Sequence, residues 1–434
     1  MGRLLLLMTT TTYKAGAFLA AAQRIGVDVV VGTDRPQVLG SLHPAGNLTL
    51  PFTAPEEAVR RAIAFARTTP IRAVLAADDD GAVLAARLAQ ALGLRHNPVH
   101  AVQAATDKRI ARRALGAAGL PVPVFRSLEP GLDPEAMAAQ VSYPCVVKPL
   151  HLSASRGVIR ADDAADFVRA VFRLRRILAD PELGMAESES ILVEDYIPGE
   201  EVAVEGLLEA GRFRALAIFD KPDPLVGPFF QETIYVTPSR HPAAVQAAVV
   251  ATTARALEAI GLRSGPVHAE VRFNPSGTWL LEAAPRTIGG LCARTLRFGD
   301  GDVSLEELVL RHALGLETHH LEREARAAGV LMIPIPRAGI LRDVQGLDAA
   351  RAVADVEEIH ITVPRGQRVV PPPEGGRYLG FIFARAATPD AVEEALRTSH
   401  GRLGIEIEPE AAAPAEVEPH AAGRAGVEAK EDRR

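Results

Sequence analysis

Apolar runs and helical stretches alternate through the first hundred residues, and this alternation limits the fold more than any other feature of the chain. Arg3–Thr10, Val27–Thr33 and Ile71–Ala77 read as strands, with helices over Ala15–Ile25 and from about Gly81 to Leu92. Strands separated by helices line up in parallel with the helices as crossovers, so the chain opens as an α/β sheet. The Leu4–Met8 run is too short for an export signal or a membrane span and reads as a buried strand. No G-x-G-x-x-G follows it, which removes the dinucleotide fingerprint, and Thr9–Lys14 reads as a plain strand-to-helix turn rather than a pocket wall.

Asp107 is placed to cap a helix over Lys108–Ala118, ended by Gly119. Tyr143–Leu150 reads as a strand that closes in Lys148-Pro149, before a small-residue loop from His151 to Gly157. Ile191–Ile197, Glu201–Leu208 and Phe213–Phe219 read as strands, the last two paired across Ala210-Gly211. A Pro-rich loop over Lys221–Pro238 leads to an Ala-rich helix from about Pro242 to Ile260, then to strands Val267–Phe273 and Thr278–Ala283. Residues 303–325 look helical. Short strands and a single helix, Pro389–Ser399, make an α+β unit of residues 329–407. Residues 409–434, rich in Ala, Glu and Pro without periodicity, read as a disordered tail.

A net charge of -6 gives no basic field to draw nucleic acid, and nothing in this reading calls for a membrane. The cysteines Cys145 and Cys292 have no partners at zinc-ligand spacing and suit a reducing cytoplasm. Of 48 Lys plus Arg, only Lys14, Lys108, Lys148, Lys221 and Lys430 are lysines. Arginine holds nearly every cationic site, so a retained ammonium outside the tail marks a candidate phosphate contact.

Lys108 at a helix start, Lys148 before the small-residue loop, acids between Ile191 and Glu205, and Glu270 with Glu282 follow in one order. Together they describe a phosphate site: two ammonium groups, a loop offering backbone N–H groups and hydroxyls, and paired acids. With an odd-numbered turn between their strands, Glu270 and Glu282 face each other, Cβ atoms about 4.5–5.5 Å apart. Carboxylates that close repel unless a proton or cation lies between them, and with phosphate they make the usual Mg²⁺ surroundings. A four-residue turn instead sends the side chains to opposite faces, as ordinary surface acids.

Asp107-Lys108 through Pro121-Val122-Pro123, Tyr143 to Pro149, Val193 to Glu201 and Leu281 to Arg286 resemble the ATP-grasp superfamily, over roughly residues 1–320. The resemblance implies a strand-helix domain at 1–105 and a two-lobed ATP-grasp domain at 106–318, split near 190. A small C-terminal α+β domain at 319–408 and the tail follow. It implies ATP phosphates on Lys108 and Lys148, under a loop carrying Ser153, Ser155 and Gly157. Adenine would meet Glu194, Tyr196 and Ile197, largely through backbone, with ribose on Glu201 and Mg²⁺ or Mn²⁺ on Glu270 and Glu282.

Many members carry Glu-x-Asn at the second metal position; here the third residue is Ala284, which cannot coordinate. That variant is similar to bacterial L-amino-acid ligases (dipeptide synthetases), as are His268-Ala269-Glu270 and Gly227–Thr233. By that likeness Glu232 meets a substrate amine, and Arg286, Gly289 and Lys148 serve the reacting acyl phosphate. Tyr235 either lines the substrate pocket or packs beneath the loop, and His268 either orients a substrate or metal ligand or is a satisfied core residue. The implied activity joins two amino acids through an acyl phosphate at the cost of ATP, in a cytoplasmic homodimer. A ligase joining an amino acid to another carboxylate or amine, and a non-catalytic ATP-binding regulator, are the alternatives.

Overall fold

The computed structural model describes residues 3–10, 12–36, 46–183 and 190–409; the expected tail beyond Pro409 lies outside them. The first strand, Arg3–Met8, runs parallel to both Val29–Thr33 and Ile71–Ala76. Leu4 to Leu7 are fully buried because both faces of the sheet are covered, which explains an unbroken apolar run instead of alternation. The strand order is Asn47–Thr49, Val29–Thr33, Arg3–Met8, Ile71–Ala76. Connections leave in opposite senses on either side of the last pair, and a crevice opens beyond the carboxyl ends of such strands. Thr9, Thr12, Tyr13 and Lys14, and Asp78–Asp80, lie at those ends.

The second layer is a four-stranded antiparallel sheet of Phe125–Leu128, Ile191–Asp195, Cys145–Pro149 and Ile159–Ala161. Residues 164–178, given no element above, form a helix whose Phe167, Val171, Leu174 and Leu178 fill the core beneath this sheet. Asp163 starts it by accepting from Asp166 N–H.

The third layer is an eight-stranded sheet that crosses the boundary expected at residue 318. Ala327–Ile333 pairs antiparallel with Ile234–Thr237 and continues into Gly380–Ala386 and Val356–Ile361. The helix expected over 303–325 is confined to Leu305–Ala313, stopped by Gly315 at φ +72°. The C-terminal α+β unit holds a short second helix, Leu347–Arg351, besides Pro389–His400. Ala243–Ile260 is long and apolar enough to cross a membrane, but packs Val249, Thr253, Ala256 and Leu257 into the core.

Candidate functional site

The three layers meet around a cavity of about 350 Å³. Every site residue named from the sequence lines it except Gly157, including both lysines, Ser153, Ser155, Glu194, Glu201, Glu232, Glu270, Glu282, Arg286 and Gly289. Gly157 is a pivot instead: its φ is +74°, a side chain there would run into Leu174, and its N–H donates to the Pro373 carbonyl at 2.9 Å. Thr9–Lys14 is more than a connecting turn, for Thr9, Thr12, Tyr13 and Lys14 form part of the wall.

Glu270 and Glu282 do stand opposite each other, by a route different from an odd-numbered turn. The hairpin closes with Asn274 paired to Gly277, a register that would set Leu281 across from Glu270. A β-bulge absorbs Leu281, so Glu282 pairs with Glu270 and Ala284 with His268. The carbonyl of the extra residue needs a donor, and Arg112 supplies it: Nη2 donates to Leu281 O at 2.8 Å. Sequence reading passed over Arg112, although its spacing of four from Lys108 puts both on one helix face.

Arg112 is 1% exposed and its Nε lies 2.7 Å from Glu194 Oε1, while Lys148 pairs with the other oxygen. The Glu194 side chain is therefore engaged with cations. Burial disfavours the Lys148 ammonium and, with Arg112 and Lys108 near, outweighs Glu194 and brings Lys148 down to about 8. Lys108 donates to Leu152 O at 2.8 Å and lies 3.5 Å from Glu282.

Lys221 sits among carboxylates. It is 2.6 Å from Glu201, pairs closely with Glu232 and lies 3.5 Å from Glu270. The oxygens of these three acids lie within 4.8 Å of one another, an arrangement that would suit a metal ion were the ammonium not already among them. Burial pushes the Glu232 carboxyl up, beyond what Lys221 offsets, while Lys221 and His268 hold Glu270 well below the usual carboxylate range despite its burial.

His268 Nδ1 lies 2.5 Å from Glu205 Oε1, and Ile288 N–H donates to the other oxygen of Glu205 at 3.2 Å. Burial opposes the imidazolium, but Glu205 outweighs it and raises His268 to about 9. Glu205 thus joins the strand of Glu270 to the loop bearing Arg286 and Gly289. Arg286 pairs at 2.6 Å with Asp79, at the start of the helix Asp79–Ala91 that follows the first sheet's last strand, rather than with its sequence neighbour Glu282. Lys14 spends its donors on Ala77 O, Thr287 O and Thr287 Oγ1 at 3.0–3.3 Å, so this lysine clasps two layers and has none left for phosphate.

Residues 141–295 match the ATP-grasp domain, residues 19–96 the ATP-grasp N-terminal domain and residues 331–408 the L-amino acid ligase C-terminal domain 2. A D-alanine–D-alanine ligase of Gloeobacter violaceus is 33% identical over 219 residues, 47% of this chain and 67% of that protein. The chain belongs to the ATP-grasp superfamily. An L-amino acid ligase from Bacillus licheniformis shares the ATP-grasp fold seen here with a TM-score of 0.78 at 25% identity, covering 94% of this chain and 99% of that one. Carnosine synthase 1 of Gallus gallus is 32% identical over 314 residues, 67% of this chain and 33% of that protein. This ATP-grasp chain spans between one third and two thirds of the length of the first curated relatives it matches.

Proposed function

We propose that this ATP-grasp protein is an ATP-dependent carboxylate–amine ligase that joins two amino acids. The observation that carries the reading is the content of one cavity: Lys108 and Lys148, the facing acids Glu270 and Glu282, the buried Arg286, and Glu232. Relatives named for dipeptide chemistry, an alanine–anticapsin ligase of Bacillus subtilis and the carnosine synthase, support amino acids as substrates. The net charge of -6 favours small molecules over nucleic acid, and the same reading takes the enzyme as a cytoplasmic homodimer. We adopt the division at residues 105, 190, 318 and 408 as its domain frame.

A carboxylate does not react with an amine until an oxygen is exchanged for a better leaving group. One substrate carboxylate attacks the γ-phosphorus and ADP leaves, giving an acyl phosphate; an amine then attacks the carbonyl carbon, loses a proton, and phosphate departs. Lys108 and Lys148 would hold phosphate oxygens as point charges. Glu270 and Glu282 fit a hard divalent cation: both offer oxygen donors, face each other across the hairpin, and are 25% and 29% exposed into the cavity. A Mg²⁺ held there would neutralise charge on the transferring group. Arg286, always cationic and fixed by Asp79, is suited to the oxyanion of the tetrahedral species, and Gly289 lines the same cavity. Glu232 and the fully buried Tyr235 would meet the substrate ammonium.

The direct test is phosphate release from ATP and Mg²⁺ across all pairs of common L-amino acids, with mass spectrometry of the products. Pair-dependent release, with a product of the summed mass less water, is expected. Release with another carboxylate or amine alone would replace the dipeptide with a mixed amide, and silence everywhere despite nucleotide binding would favour a regulator.

Glu205→Gln checks the His268 assignment. The amide keeps the shape but not the charge that holds the imidazolium, so kcat should fall about 10- to 100-fold, the usual range for outer partners of active groups. An unchanged kcat would remove Glu205 and His268 from the machinery.

A further inference from the structure

His268, Glu270 and Arg272 alternate along the strand Gly265–Asn274 and share the face turned to the cavity. The first two have proposed roles; Arg272, with a side chain only 5% exposed, has none. Its guanidinium reaches several partners at once. Nη1 donates to Ile197 O at 2.9 Å, and Nη2 donates to Glu201 Oε2 at 2.7 Å and to Leu225 O at 3.2 Å. Its carbon lies 5.5 Å from the Tyr196 ring centre and 5.7 Å from that of Phe230, two rings stacked 6.4 Å apart.

These partners belong to two parts of the site. Tyr196, Ile197 and Glu201 lie on the proposed nucleotide side. Leu225 and Phe230 lie on the loop between Lys221 and Glu232, on the substrate side. We infer that Arg272 is a positioning residue that couples nucleotide binding to the order of the loop over residues 222–231. The inference rests on the nucleotide half of the proposed function and not on which amide is made.

The charges explain why an arginine is suited to this place. Glu201 is neutralised by Arg272 on one side and by Lys221, at 2.6 Å, on the other. A nucleotide that takes Glu201 through its ribose and draws Lys221 towards phosphate removes one of those two cations. Arg272 remains, so the buried carboxylate is never left unpaired. A planar guanidinium holds carboxylate and two carbonyls in fixed directions, whereas an ammonium cannot span them. Movement of Glu201 or Ile197 is therefore passed to Leu225 and Phe230.

The test uses the full chain with Arg272→Met and Arg272→Lys, ADP as the probe, calorimetry for affinity and hydrogen exchange for residues 222–231. In the unaltered protein, saturating ADP should slow exchange in that segment. Arg272→Met should bind ADP about 10-fold more weakly, the scale of a lost charged hydrogen bond, and show no ADP-induced protection even at saturation. Arg272→Lys should recover affinity to within a few-fold without recovering the protection, a split that general loss of structure would not give. It also carries the test if the Met variant fails to fold. ADP protection of the loop in both variants as in the parent overturns the coupling alone. Failure of the parent to bind ADP overturns the nucleotide reading and the coupling with it.

Discussion

Glu282→Ala should abolish ATP turnover while leaving the protein folded. Glu282 is 29% exposed and its ion pair, with Lys108 at 3.5 Å, is loose, so little packing depends on it. Its removal leaves Glu270 as the sole acid of the pair, with its charge already matched by Lys221 and His268. The transferring phosphoryl group then loses its main counter-charge, and the rate should drop at least about 100-fold, as when one preorganised stabilising group is deleted. Glu282→Gln, equal in shape but neutral, should be nearly as inactive. Phosphate release beside a thermal melt decides the matter: an unchanged melting point with lost turnover is expected, and retained turnover would sink the metal assignment.

The largest effect on stability is expected at Arg112. Replacement by methionine keeps much of the volume but strands Glu194, 3% exposed, with Lys148 as its remaining partner, and leaves the bulge carbonyl of Leu281 without its donor. Breaking a buried pair from one side costs about 3–5 kcal/mol. The melting point should fall by several degrees, with hydrogen exchange rising first in the hairpin around Leu281. Adding Glu194→Gln to Arg112→Met should not restore the loss, because Glu194 still pairs with Lys148 and its removal leaves that buried ammonium without a carboxylate. A melting point unmoved by Arg112→Met would show that the bulge and Glu194 do not depend on this guanidinium.

Much of the fold, and which side chains line the cavity, was legible along the chain because the signals are local. The buried first strand follows from Leu4–Leu7, the helix start at Lys108 from Asp107, which accepts from Arg109 and Ile110 N–H, and the pairing of Phe213–Phe219 from its neighbouring turn. The α/β and α+β class, the order of lysines and acids, and the ATP-grasp likeness belong to the same group. Residues 303–325 misled because apolar periodicity continues past Gly315, where only the backbone turns.

The sequence by itself determined which groups are present and on which kinds of element, since periodicity, caps and turns act over a few residues. Only the tertiary structure decided who their partners are. Arg286 finds Asp79 at a separation of 207 residues, and Lys14 finds Thr287 at 273. The facing of Glu270 and Glu282 depends on a bulge whose free carbonyl is satisfied by Arg112, 169 residues away. A buried polar group must be paired, but pairing is set by packing across layers, and no local pattern records which distant donor arrives.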